Sequence, residues 1–259
     1  MQTKTVKTMY STSLTDAQWQ GIKNFIPQND RKRKYDLRFI WDAILYWNKT
    51  GCQWRMLPKE FPKWKMVYYY FTKWVEMGVI EDIMHRINEI IRIKLGKEAQ
   101  PSMVIIDCQS VKTTSVGGIR GFDGNKNING RKRHIIVDTL GNVLSVIVHS
   151  AHLHETAMAE LVVRRFREVF FRATKIVADG GYRGKLITTI KQKHNLDMEI
   201  VMRTDSNKGF KVLPKRWVVE RTFAWFNGYR RLSKDYEFLT ENSEAAIHLA
   251  AIKINLNKF

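Results

Sequence analysis

This 259-residue sequence has few cysteines, fewer acidic than basic residues and no long apolar run. Cys52 and Cys108 are its two cysteines, too few for a disulfide framework or for a zinc site built from cysteines. No run approaches the roughly 20 apolar residues that a membrane-spanning helix needs. The first ten residues are polar and basic, unlike a secretory signal. We therefore expect a soluble protein of the reducing cytoplasm with no membrane partner.

The shortage of acidic residues leaves a large positive charge. The chain has 44 Lys and Arg against 25 Asp and Glu, a formal net charge of +19. Such an excess usually indicates a polyanionic partner, with nucleic acid before an anionic membrane surface. Hydrophobic residues make up 44% and aromatic residues 12%, enough for a sizeable core in one large or two smaller domains.

The first 98 residues are predicted to form four short helices. Thr15 and Gln18 form a capping-box pattern at the start of the first helix. The predicted helices cover about residues 15–26, 36–49, 64–77 and 79–95. An excess of positive charge on these helices suits a helix-turn-helix-like DNA-binding module. An ordinary helical bundle with a solvated basic face fits the same pattern, and charge alone does not separate the two.

Residues 97–101 are the predicted boundary between a helical domain, 1–98, and a second domain, 99–259. Beyond it the hydrophobic period changes from that of helices to that of strands. Strands are predicted at 103–107, 134–137, 143–148, 175–178 and 198–202, and helices at 155–171, 184–193, 215–232 and 242–257. A hairpin followed by alternating helices and strands predicts a mixed α/β sheet.

The predicted helix 215–232 carries an acidic residue beside apolar ones. Pro214 suits the start of a helix. The residues that recur at three- and four-residue spacing are Trp217, Glu220, Arg221, Ala224, Trp225 and Gly228. A carboxylate held against aromatic packing needs a guanidinium, a set of hydrogen bonds or a metal ion. Arg216 lies four residues before Glu220, so an internal ion pair is one interpretation.

Two further acids follow buried strands. Asp107 ends SMVIID and Asp179 ends TKIVAD, where open α/β sheets place their sites. Together with Glu220 they form an oxygen-rich set suited to Mg²⁺ or Mn²⁺. Two such ions can promote an in-line phosphoryl displacement. Each aspartate taken singly could be a turn former or helix cap, as we expect for Asp123 and Asp138.

The segments DCQSVKTT, ADGGYRG and RWVVERTFAWFNGYRRLSKDYE resemble the three acidic motifs of the DDE transposases of bacterial insertion sequences, in the insertion-sequence-five branch. The stretch from LTDAQWQ to YYYFTKW resembles the helical domain of that branch. The resemblance implies a ribonuclease H-like sheet preceded by a small all-helical domain. It also implies a DNA transposase that cleaves element ends and transfers strands, as a homodimer or higher synaptic complex at the bacterial nucleoid.

The resemblance further implies which residues take part in catalysis, metal binding and DNA binding. Asp107, Asp179 and Glu220 match the catalytic, metal-binding triad, which holds two Mg²⁺ ions, with Mn²⁺ as a substitute. The candidates for binding double-stranded DNA are Arg131, Lys132, Arg133, Tyr182, Arg183, Arg216, Arg221, Arg230, Arg231 and Lys234. The family has tyrosine where Leu213 stands and a basic residue where Asn227 stands. Arg230, Arg231 and Lys234 could supply the missing charge, and residues 131–133 could equally form a solvated strand edge.

Other patterns leave alternatives. His149, His152 and His154 could bind zinc, or form only a loop that enters a helix at Glu155. The glycine-rich segment 117–124 lacks the Lys-Ser/Thr of a phosphate-binding loop and suggests a hairpin near the site. At the level of function, the rivals are a related nuclease without strand transfer and a domesticated, non-enzymatic DNA-binding protein.

Overall fold

The computed structural model describes residues 10–27, 33–115, 117–202 and 215–258. The helices in these residues are α1 (Asp16–Ile22), α2 (Leu37–Thr50), α3 (Trp64–Glu76), α4 (Val79–Lys94), α5 (Glu155–Arg167), α6 (Lys185–His194), α7 (Trp217–Phe226) and α8 (Thr240–Leu256). The strands are β1 (Met103–Lys112), β2 (Gly121–Asp123), β3 (Ile128–Asp138), β4 (Val143–Ser150), β5 (Lys175–Asp179) and β6 (Asp197–Val201). Short 3₁₀ turns include Gly180–Tyr182 and Arg230–Leu232.

Local signals set the ends of the N-terminal helices. The predicted capping box at Thr15 is present, with both reciprocal hydrogen bonds to Gln18. Asp36 caps α2 by accepting a hydrogen bond from the Arg38 amide, and Gly51 ends the helix at φ 71°. The predicted spans of α2, α3 and α4 agree with the observed bounds to within one residue, whereas α1 stops at Ile22 and continues as a 3₁₀ turn.

The predicted mixed α/β sheet after a helical region is confirmed. The strands lie in the order β2-β3-β1-β5-β6, with β4 also paired to β3. β1 is antiparallel to β3 and parallel to β5, and β6 extends the parallel half. This arrangement, with the hairpin strands on one side and βα units on the other, is that of a ribonuclease H-like sheet. β2 lies in the glycine-rich segment where only a loose hairpin is expected from the sequence.

The sheet is covered on both faces. Ile105, Ile135 and Val177 face a core that also contains α7, α8 and the N-terminal helices. Val104 and Ile176 face the opposite way, into a second core formed with α5 and α6. The helical segment and the sheet therefore share one core across the boundary predicted near residue 98.

Polar contacts reinforce that shared core. The Asn88 amide of α4 donates to the Val143 carbonyl at 2.6 Å and accepts from Asn255 of α8 at 2.8 Å. These bonds connect the N-terminal helices, the hairpin and the last helix. Among the described residues, no helix is both long enough and apolar enough to cross a membrane.

Candidate functional site

Asp107 and Asp179 lie at the same level of two adjacent parallel strands. β1 and β5 pair from Met103 with Lys175 to Ile105 with Val177, and the two aspartates continue that register. Because side chains alternate along a strand, both point to the face of Ile105 and Val177. β1 runs on past Asp107 to Lys112, so this acid lies within its strand and not at the end that we expect from the sequence.

Backbone amides orient both aspartates. Asp107 Oδ1 accepts a hydrogen bond from the Cys108 amide at 2.7 Å. Asp179 Oδ1 accepts one from the Gly181 amide at 2.9 Å, in the 3₁₀ turn that follows β5. These bonds leave the Oδ2 atoms directed into the cleft beside α7.

The three predicted acids lie around a single nitrogen atom of Arg216. Arg216 Nη2 lies 3.2 Å from Glu220 Oε1, 3.7 Å from Asp107 Oδ2 and 3.8 Å from Asp179 Oδ2. Residues more than 100 positions apart along the chain therefore meet around one cationic atom. The alternative of an internal Arg216–Glu220 ion pair is also realised, as one part of this four-residue arrangement.

The helix that carries Glu220 is oriented differently from the sequence expectation. The buried residues of α7 are Val218, Val219, Thr222, Phe223 and Phe226. Trp217 and Ala224 are exposed, and Glu220 is 45% exposed at the cleft. Both sides of this helix are apolar, and the Val and Phe side is the one that packs on the core. The helix spans Trp217–Phe226, and Leu213 and Pro214 lie outside the described residues.

The site carries an excess of negative charge. The pKa of Asp107 is raised to about 6 as the net effect of burial, which raises it most, the Cys108 amide and Arg216, which lower it, and the carboxylates of Asp179 and Glu155, which also raise it. One guanidinium faces three carboxylates. An oxygen-only donor set converging on a cation position is what Mg²⁺ and Mn²⁺ require, so these residues fit a divalent metal.

Glu155 is a fourth acid at the edge of the site. A Cβ added to Gly181 would lie 3.0 Å from Asp179 Oδ1 and 3.6 Å from Glu155 Oε2, which locates the two carboxylates on either side of this glycine. Lys126 and Lys132 lie 3.6 and 3.9 Å from Glu155 Oε1. From the sequence, Glu155 is expected only to favour the first turn of a helix. No local sequence pattern predicts that α5 lies beside the end of β5.

The basic run 131–133 is turned inward. Arg131 is fully buried and pairs with Asp235 at 3.2 Å. The Lys132 ammonium donates to the Leu153 carbonyl at 3.1 Å, and the Arg133 guanidinium donates to a loop carbonyl at 2.8 Å. Neither a phosphate contact nor a solvated strand edge fits these three residues, because their charged groups are used inside the protein.

Three more DNA-binding candidates have internal partners. The hydroxyl of the buried Tyr182 lies 2.8 Å from His134 Nε2. Arg231 forms a 2.6 Å ion pair with Glu237. Arg221 stacks between two tryptophan rings at 4.4 and 4.6 Å and donates to a hairpin carbonyl at 2.9 Å. These contacts give the three side chains structural roles.

The remaining DNA-binding candidates stay accessible. Arg183, Arg230 and Lys234 are exposed, and Arg183 Nε donates to the Gly180 carbonyl at 2.7 Å beside Asp179. Arg216 is only 11% exposed, but its guanidinium faces the cleft through the three carboxylates. Of these four side chains, Arg216 and Arg183 adjoin the three acids.

His149, His152 and His154, the possible zinc ligands of the sequence analysis, each have different neighbours. His154 caps α5 by accepting a hydrogen bond from a backbone amide, and His152 bonds a neighbouring serine hydroxyl. His149 instead lies with Cys108 and His134. Burial lowers the pKa of His134 to about 3, so its imidazole is neutral.

Two acids that we expect to form turns do so. Asp123 Oδ1 accepts from the amides of the two residues that follow the next glycine. Asp138 Oδ1 accepts from the amides of Leu140 and Asn142, and its other oxygen pairs with Arg92 at 2.6 Å. Neither carboxylate belongs to the triad.

Two family models and two named relatives match this chain. Residues 98–256 match the family model described as "Transposase DDE domain", and residues 14–84 match "Putative transposase of IS4/5 family". An uncharacterized protein, y4sN, of Sinorhizobium fredii is 28% identical over 38% of this chain and 75% of its own length. A Burkholderia cepacia protein named "Putative transposase for insertion sequence element IS402" is 30% identical over 48% of this chain and 60% of its own length. The chain belongs to the DDE transposases of the IS4/5 type.

Proposed function

We propose that this protein cleaves DNA at the ends of an insertion sequence and joins the freed ends to target DNA. The observation that carries the proposal is the convergence of Asp107, Asp179 and Glu220 on one guanidinium nitrogen. Family membership implies a DNA partner and a divalent metal, and the oxygen-only donor set supports Mg²⁺, with Mn²⁺ as a substitute.

Asp107, Asp179 and Glu220 would hold two such ions. When bound, the ions would activate the attacking water or 3′-hydroxyl and stabilise the leaving 3′-oxygen of an in-line displacement. The two aspartates are fixed by strand pairing and amide hydrogen bonds. Glu220, half-exposed in the first turn of a helix, can adjust its side chain. The guanidinium of Arg216 can exchange its carboxylate partners for a DNA phosphate, to which it is equally complementary.

Three exposed basic residues support a DNA path. Arg183, Arg230 and Lys234 are exposed and lack acidic partners within salt-bridge distance in the described structure. We assign them to phosphate contacts, which position DNA without reading its sequence. Residues 99–259 would then form the catalytic part.

Residues 1–98 would recognise the element ends. α2 is almost entirely buried, whereas α3 presents a polar and aromatic outer face that includes Lys65, Tyr68 and Tyr69. We assign that face to a DNA groove, as in DNA-binding modules that place one helix there. Since both ends of an element must be cut together, we expect a homodimer or a higher synaptic complex.

Cleavage of a labelled element end in Mg²⁺ tests the triad. Asp179→Asn keeps the shape of the side chain but removes its charge, and we expect at least a hundredfold loss of cleavage with DNA binding retained. Asp197→Asn, at an exposed position of the neighbouring strand, is the control and should cleave normally. Full activity of Asp179→Asn would reject the triad.

A joining assay with the same labelled ends separates the rival functions. Integrated product identifies a transposase. Cleavage without joining identifies a nuclease, and metal-independent DNA binding without either reaction identifies a non-enzymatic DNA-binding protein. The last two outcomes would overturn the proposal.

A further inference from the structure

A second group of metal-ligating side chains lies on the face of the sheet opposite the triad. One ligand atom each from Cys108, His134 and His149 lies within 4.8 Å of the others. We call these three residues the reverse-face cluster. All three are buried, with exposures of 5%, 0% and 5%. Among the described residues it is the one cluster of three or more such side chains that meets this spacing.

Strand pairing determines which side chains meet in the reverse-face cluster. Cys108 of β1 lies directly opposite His134 of β3. His149 of β4 pairs with Lys132, two residues before His134, so its side chain points to the same face. The three ligands therefore come from three adjacent strands, whose spacing is held by backbone hydrogen bonds.

Each imidazole has one nitrogen oriented by a neighbour and one without a partner. His149 Nδ1 lies 3.0 Å from the Ser150 carbonyl, to which it can only donate, so Nε2 carries the lone pair. His134 Nε2 lies 2.8 Å from the Tyr182 hydroxyl. In the described structure, His149 Nε2 and His134 Nδ1 are buried without a hydrogen-bond partner.

Buried nitrogens without a partner are costly and therefore call for a ligand. A ring nitrogen held by a carbonyl or hydroxyl, with the other left free, is the usual arrangement of a metal-bound histidine and its supporting hydrogen bond. The reverse-face cluster has this arrangement twice, with a thiol beside it.

We propose that the reverse-face cluster binds one zinc-class transition metal ion through the Cys108 thiolate and one nitrogen each of His134 and His149. A sulfur and two imidazole nitrogens suit Zn²⁺ and disfavour Mg²⁺. Metal–sulfur and metal–nitrogen bonds of about 2.3 and 2.0 Å draw the ligands closer by about 1 Å, within reach of side-chain rotation. On binding, the thiol proton passes to solvent as the metal–sulfur bond forms, and water completes the tetrahedron.

From the opposite face of the sheet, the proposed ion would stabilise the segments that carry Asp107 and Asp179. Cys108 directly follows Asp107 in β1, and Tyr182, which bonds His134, ends the 3₁₀ turn that begins after Asp179. The two aspartates and the reverse-face cluster thus share the same strand and turn. The inference does not depend on the proposed function, because sulfur ligation is measured without any DNA reaction.

Cobalt provides the first test. The full-length protein is freed of metal with a chelator, given excess Mg²⁺ to occupy oxygen sites, and titrated with Co²⁺. We expect one Co²⁺ per chain with a thiolate-to-cobalt charge-transfer band in the near ultraviolet. The band should be lost in Cys108→Ser and at least tenfold weaker at equal Co²⁺ in His149→Gln. It should persist in Cys52→Ser, the matched control at the other cysteine, and in Asp179→Asn.

X-ray absorption of the zinc-loaded wild-type chain tests the site without any variant. The expected shell contains one sulfur at about 2.3 Å and imidazole nitrogens at about 2.0 Å. Zinc at a hundredfold excess over its Kd should also raise the Tm by about 5 °C or more. A shell without sulfur, or a cobalt band that survives Cys108→Ser or disappears in Cys52→Ser, would overturn the proposal.

Discussion

The hydroxyl of Tyr182 lies 2.8 Å from Nε2 of His134, and both side chains are fully buried. This bond joins the turn after β5 to the middle of β3, across β1. Since the same turn supplies the amide that orients Asp179, the position of this acid depends on packing at the opposite face of the sheet.

Tyr182→Phe removes that bond and leaves the ring in place. We expect the free energy of unfolding to fall by about 1–2 kcal/mol, because a buried imidazole nitrogen loses its partner. Urea denaturation measures the change. Tyr236→Phe is the control: its hydroxyl is exposed, so the effect should stay within about 0.5 kcal/mol. Equal stability of the two variants would show that the Tyr182 bond contributes nothing.

Arg216 and the divalent ion compete for the same carboxylates. Arg216→Gln removes a positive charge within 4 Å of three acidic oxygens, so we expect Mn²⁺ affinity to rise at least tenfold. Titration of Mn²⁺ by electron paramagnetic resonance, without DNA, gives the Kd. Arg230→Gln removes the same charge from an exposed position and should leave the Kd unchanged. Unchanged or weaker binding in Arg216→Gln would contradict a shared position.

Features set by neighbouring residues could be predicted from the sequence. The cap at Asp36 and the glycine at 51 define the helix between them without reference to the remaining chain. Asp107 and Asp179 could be singled out because each follows a short apolar run. Their convergence with Glu220 could be stated from the sequence only as a hypothesis, strengthened by the resemblance, since strand pairing between distant segments leaves no local pattern.

Features set by distant partners could not be predicted. Arg131 looks like a surface arginine in a basic run, but its partner, Asp235, lies far along the chain. Periodicity predicts the wrong buried face for α7, because both sides of this helix are apolar. β1 extends past Asp107 because β3 pairs with it through Lys112.

Asp42 should make stability depend on pH. Burial raises its pKa to about 6, although the Leu14 amide, Arg38 and Lys253 lower it. An acid whose pKa is raised on folding is held best in its neutral form, so its contribution to stability falls as pH rises from about 4 to about 6.

In Asp42→Asn the amide oxygen can still accept the 2.8 Å hydrogen bond from Leu14. The variant should match the wild type near pH 4 and exceed its free energy of unfolding by up to about 3 kcal/mol at pH 8. Chemical denaturation across this range measures the difference. Asp82→Asn, on an exposed position of α4, should show no such divergence. Parallel pH profiles for Asp42→Asn and the wild type would refute the assignment.

Gly130 controls the distance between β1 and β3. It pairs with Lys112, and a Cβ at this position would overlap the Val111 carbonyl oxygen. Because that oxygen belongs to the backbone, Gly130→Ala must separate β1, which carries Asp107 and Cys108, from β3, which carries His134. We expect a loss of about 3 kcal/mol or more in the free energy of unfolding, or failure to fold. Gly124→Ala, in the same hairpin with no heavy atom closer than 4.0 Å to the added carbon, should change stability by less than about 0.5 kcal/mol. Thermal and urea unfolding followed by circular dichroism compares the two, and a tolerated alanine at 130 would mean that β1 and β3 are farther apart than described.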